Sequence, residues 1–99
     1  MIVLIGTIRA PIEAMQALRG PMADVVAASR AEDGCIEYAY GEDMLEPGLI
    51  RVSEVWRDQA ALDRHFTQPH MHAWRAARAL LGVGGRRIFL YEAGEPREI

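Results

Sequence analysis

The chain has 99 residues, 51% of them hydrophobic and 25% charged, which is the make-up of one soluble globular domain spanning residues 1–99. Its net charge is −3, and all eleven basic residues are arginines, so nothing in the composition builds a phosphate-tracking nucleic-acid surface. No apolar run approaches the ~18 residues of a membrane span, and Met1–Ile5 is stopped by Gly6-Thr7-Ile8-Arg9 with no basic segment before it, so neither a membrane anchor nor a signal peptide is expected and the cytoplasm is the expected location.

Ile2 to Arg9 is rich in β-branched residues and reads as a first strand. Ala10-Pro11 ends it, and a helix is expected from Pro11 to Ala31, with Ile12, Met15, Leu18, Met22, Val25 and Val26 at three- and four-residue spacing. Gly20-Pro21 inside that stripe predicts a kink or a restart, because proline lacks the amide hydrogen and crowds the preceding turn. Asp33-Gly34 stops the helix. Cys35 to Gly41 reads as a second strand, with Ile36, Tyr38 and Tyr40 on one face and Glu37 on the other. Cys35 is the only cysteine, which rules out an intrachain disulfide and fits an apolar filler.

Pro47-Gly48 marks a turn into a third strand, Leu49 to Arg57, with Ile50, Val52, Glu54 and Trp56 pointing one way. Asp58 can cap a short helix running through His65 and Phe66. Pro69 starts a second piece that ends near Gly82, its inward stripe formed by His70, Ala73, Trp74, Ala77 and Leu81. Arg86 to Ala93 reads as a fourth strand. The order β-α-β-β-α-β predicts an α+β, ferredoxin-like fold: an antiparallel sheet with its helices on one face. The other face would carry Val3, Ile5, Cys35, Ala39, Val55, Phe89 and Tyr91, too apolar to stay wet, so a two-fold homodimer through the sheet face is expected.

Glu54 is the most informative side chain, a carboxylate on the apolar face of a strand that must be paired, protonated or facing a cavity. His65 and His70 can face the same space, His72 points outward, and a neutral imidazole is a competent general base near pH 7. Trp56, Trp74, Tyr38 and Tyr40 can wall a flat substrate, while Met15, Met22 and Met71 read as core filler. A metal centre is not expected, since His70 and His72 diverge by roughly 200° on a helix. Gly82-Val83-Gly84-Gly85 follows a helix and precedes a strand, the wrong order for a dinucleotide fingerprint.

The string Glu54-Val55-Trp56, then Ala61-Leu62-Asp63-Arg64-His65, then Gln68-Pro69-His70-Met71 resembles the signature of the antibiotic biosynthesis monooxygenase domain family, and Glu32-Asp33-Gly34-Cys35-Ile36-Glu37-Tyr38 resembles the segment by which that family begins its second strand. The resemblance, nearest to the small quinol monooxygenases, implies a dimeric α+β barrel and a cavity between sheet and helices. For several members it also implies oxygenation of quinols or phenols without flavin, metal or haem. Glu54, Trp56, His65 and His70 match the motif. Val52 stands where the polyketide-oxidising members carry an asparagine. Thr7, His65 and Arg75 depart from the haem-degrading pattern, so haem degradation is not expected.

The expected activity is thus cofactor-independent oxygenation of a small aromatic by O₂, with His65 or His70 as base and Glu54 orienting the imidazole. Two alternatives stay open: isomerisation of a small phosphorylated carbonyl compound, and a non-catalytic dimeric binding module. The isomerase would need an extra cation near the cavity, and Arg75 and Arg78, by helix spacing, look solvent-facing.

Overall fold

The computed structural model describes residues 1–99. The β-branched start forms strand β1 (Ile2–Arg9), and a short 3-10 turn at Ile12–Ala14 leads into helix α1 (Met15–Arg30). Strands β2 (Cys35–Glu42) and β3 (Leu49–Trp56) form a hairpin. Helices α2 (Gln59–Phe66) and α3 (Pro69–Leu80) precede the last strand, β4 (Gly84–Glu92). The sheet order is β2-β3-β1-β4 with every neighbouring pair antiparallel, so this is the ferredoxin-like fold, its second crossover broken into two helices.

One face of the sheet carries the core. Ile8, Ile50 and Val52 pack against Leu18, Met22 and Val25 of α1 and against Met71 and Trp74 of α3. A second cluster joins Ile2, Leu4, Tyr38 and Trp56 to Ala61 and Leu62 of α2. Burying each large apolar side chain of this kind stabilises by roughly 1.5–3 kcal/mol.

Helix α1 runs unbroken through Pro21, so of the kink or restart expected there the restart does not occur. Interior proline costs ~3 kcal/mol, but a continuous helix keeps Met15, Leu18, Met22, Val25 and Ser29 on one buried stripe, and that burial outweighs the lost bond. Strand β2 departs from simple alternation. Cys35 stands opposite Trp56 and Glu37 opposite Val55, so Ile36 is the extra residue of a bulge. The bulge turns Cys35 towards the helix-side core and leaves Ile36 58% exposed, the reverse of the faces read from alternation.

A second irregularity lies where β4 meets β1. Arg87 pairs with Thr7 and Gly84 with Arg9, so two residues of β4 face one of β1. The approach is close enough that a Cβ on Gly6 would lie 2.0 Å from the Arg87 carbonyl oxygen, which only glycine permits. On the uncovered face, Ile5, Phe89 and Tyr91 are each about half exposed, with Val3, Ala39 and Val55 partly buried between them.

Candidate functional site

Three chain segments meet at the junction of α2 and α3. The first is the turn after α1. Gly34 takes φ +84° there, and its carbonyl accepts from the Arg57 amide at 2.8 Å. A Cβ on Gly34 would come within 2.5 Å of the Ala61 Cβ, so the turn sits tightly under α2. That position holds the Glu32 side chain against the helices. The other two segments are the end of α2, capped at its start by Asp58 accepting from the Ala61 amide at 2.9 Å, and the start of α3. Pro69 forces the break between them. It forms the first turn of α3, and Gln68 before it is extended, as a residue preceding proline must be.

Glu32 Oε2 accepts from both imidazoles, from His65 Nδ1 at 2.5 Å and from His70 Nε2 at 2.8 Å. With Glu32 ionised, both of those nitrogens carry hydrogen, which leaves His65 Nε2 and His70 Nδ1 as the free acceptors of neutral rings. His65 is fully buried, its ring 4.6 Å from Trp56 and 5.4 Å from Tyr38. Burial lowers its pKa, and the Glu32 carboxylate opposes that without overcoming it, so the ring is neutral at pH 7. The His70 side chain is 21% exposed and borders a cleft of about 210 Å³ between α1 and α3, together with Pro21, Asp24, Val25, Trp74 and Ala77.

Glu54 does not reach the imidazoles. Its Oε1 accepts from Trp56 Nε1 at 3.0 Å, and the Trp56 ring in turn lies 4.6 Å from the His65 ring. Glu54 therefore touches the cluster through Trp56, and the residue that orients the imidazoles is Glu32. Burial raises the Glu54 pKa, partly offset by the Trp56 bond and the charge of Arg86. Of the four aromatic candidates, Trp56 and Tyr38 are sealed in the core, Trp74 borders the cleft, and Tyr40 is half-buried, its ring 5.7 Å from Trp74. The two tyrosine hydroxyls lie 3.0 Å apart, and burial raises both pKa values, so they stay protonated. Ala73, expected on the inward stripe, is exposed at the rim of the cleft.

Glu32, His65 and His70 each offer a metal-ligand atom, all within 4.8 Å of one another. Ligands at roughly 2.0–2.1 Å from a tetrahedral metal would stand roughly 3.3 Å apart. Separations of 2.5 and 2.8 Å are hydrogen bonds, and the trio as built holds two imidazoles on one carboxylate oxygen.

Arg75 and Arg78 are not simply solvent-facing. Both are half-buried and, with Arg86, line a second cleft between α3 and β4.

The sequence model for the antibiotic biosynthesis monooxygenase family matches residues 1–77. The chain belongs to that family. A protein of Deinococcus radiodurans, provisionally named an antibiotic biosynthesis monooxygenase, superposes over the whole of this chain and 98% of its own, with TM-score 0.91 and 33% identity. The uncharacterised protein sll1783 of Synechocystis is 37% identical over 74 residues, covering 75% of this chain and 50% of its own length. Rv0793 of Mycobacterium tuberculosis, provisionally named a monooxygenase, is 36% identical over 64 residues, covering 65% of this chain and 62% of its own length. This chain thus spans between half and two thirds of these two curated relatives. The family match takes in Glu32, Glu54, His65 and His70, and ends before Arg78 and Arg86.

Proposed function

We propose that the chain is a cofactor-free monooxygenase that oxidises a small quinol-like phenol with O₂, working as a homodimer through the uncovered sheet face. The observation that carries this reading is one carboxylate holding two imidazoles, one buried and one open to a cleft. His70 is the base, because it is the imidazole that a ligand in the cleft can touch. The substrate hydroxyl gives its proton to His70 Nδ1, and Glu32 stabilises the imidazolium that results. His65 holds the second lone pair of the same carboxylate oxygen and so fixes its direction. The cleft, at about 210 Å³, suits a single aromatic ring beside Trp74; for scale, a cavity of about 150 Å³ holds benzene.

The phenolate donates one electron to O₂, and the substrate radical and superoxide combine at a ring carbon. The resulting hydroperoxide loses water, so one oxygen atom stays in the product and the other leaves as water. A hydroquinone plus O₂ gives a hydroxyquinone plus water, with no external reductant. The protein supplies deprotonation, orientation and desolvation.

The test is oxygen consumption by metal-free, flavin-free protein with a panel of hydroquinones. The expected result is uptake above autoxidation, unchanged by a chelator and reduced ~10²–10⁴-fold in His70→Ala. Uptake equal to autoxidation throughout the panel, or full activity in His70→Ala, would overturn the assignment of His70 as base for these substrates.

A further inference from the structure

The cleft between α3 and β4 has a volume of about 270 Å³, and three guanidinium groups line it, from Arg75, Arg78 and Arg86, over a floor that includes Ile8 and Val83. Five of the arginines elsewhere in the chain are neutralised. Arg9, Arg19, Arg51, Arg57 and Arg64 all pair with carboxylates. None of the three cleft arginines does, in a protein whose net charge is −3. Arg30, Arg87 and Arg97 also lack a carboxylate partner, but the cleft is where three unpaired guanidiniums line one space.

Arg75 and Arg78 are also held in place. Arg75 donates from Nη2 to the Phe66 carbonyl at 2.8 Å. The Arg78 guanidinium lies over the Trp74 ring at 5.7 Å. Arg86 sits in the bulge of β4 beside the Gly85 residue of φ +58°, next to Ile88, which packs on the core side. Burial and the charges of Arg86 and Arg75 together lower the Arg78 pKa, so the cluster carries unrelieved repulsion that an anion would remove.

We propose that Arg75, Arg78 and Arg86 form an anion site that takes the phosphate group of a small phosphomonoester. A carboxylate offers one negative charge to three guanidiniums, whereas a phosphomonoester near neutral pH brings close to two charges and three oxygens that match their planar N–H forks. The concave shape, about 270 Å³, admits one such group. The charge of Arg75 reaches His65 and that of Arg86 reaches Glu54, so the cleft lies within electrostatic range of the cluster. That the anion belongs to the cluster's own substrate rests on the reading above; the anion site itself stands on the arginines alone.

Inorganic phosphate is the probe. It is titrated against chloride at constant ionic strength and about pH 8, where it is mostly dianionic, while the arginine Nε–Hε resonances are followed by NMR. The Arg75, Arg78 and Arg86 signals are expected to move together and saturate, and those of Arg19 and Arg51 to stay in place. Arg78→Gln and Arg86→Gln should each weaken binding by roughly tenfold or more, with Arg19→Gln as an unaffected control. A response spread evenly over all the arginines, no saturation, or unchanged affinity in both cleft variants would overturn the proposal. The readout involves no turnover, so absence of oxygenation leaves it standing, and absence of phosphate binding leaves the histidine cluster untouched.

Discussion

Glu32 is the residue on which the cluster turns, since its carboxylate hydrogen-bonds to both imidazoles. Replacing it by glutamine keeps the shape and removes the charge. That charge raises the His65 pKa against burial, so its loss shifts the pKa further down. For Glu32→Gln we expect the His65 imidazole titration, followed by NMR, to move to lower pH while the rate falls; an unmoved His65 titration would separate Glu32 from it. Glu54 poses a different problem. It is 5% exposed, it bonds to a neutral indole, and its raised pKa means that the folded state resists its ionisation. A raised carboxyl pKa makes the folded protein bind the proton more tightly than the unfolded chain, so the penalty appears as pH rises through the ordinary carboxyl range and persists at neutrality. Glu54→Gln can still accept from Trp56 and should hold or raise the melting temperature at pH 7, with the gain vanishing towards about pH 4. Calorimetry across pH checks this. The sequence pointed to Glu54, His65 and His70 because a carboxylate among apolar neighbours and imidazoles near a proline break are local anomalies. Glu32 is not one. It looks like an ordinary turn carboxylate, and its partners lie 33 and 38 residues away. Only the family-like segment around Asp33-Gly34 could have drawn attention to it.

At the scale of elements, the order and the helix break were legible because they rest on proline, glycine and cap residues that act on their neighbours. Asp58 is such a cap, and Asp58→Ala should cost about 1 kcal/mol, read as a lower denaturant midpoint with an unchanged slope. The bulge at Ile36 and the continuity of α1 through Pro21 were not legible. Both are set by partners across the sheet: Cys35 must meet Trp56, and the helix must keep Met22 and Val25 on the stripe that Leu18 begins. Local preference loses there to burial. The inward turn of Cys35 is one consequence, and the thiol's pKa, pushed up to about 11 mainly by burial, makes it a poor nucleophile.

For the molecule as a whole, the sheet has one dressed face and one bare one. Ile5, Phe89 and Tyr91 stand on the bare face, and no helix of this chain covers them. A second copy using the same patch would bury them reciprocally. Sedimentation is expected to give a dimer, and Phe89→Asp to give a monomer whose helix-side core is intact; a wild-type monomer at all accessible concentrations would refute this. No helix is long and apolar enough to cross a membrane.

The two imidazoles sit on separate helices, and the turn between those helices holds only Thr67 and Gln68. Glu32 therefore works as a latch as well as a proton partner. Tilting α3 away from α2 would break one of its two bonds and leave a largely buried carboxylate with a single partner, at a cost of roughly 1–3 kcal/mol. The angle between the helices and the acidity of His65 are then linked: whatever moves α3 against α2 changes the environment of that imidazole, and whatever titrates His65 changes how firmly α3 is held.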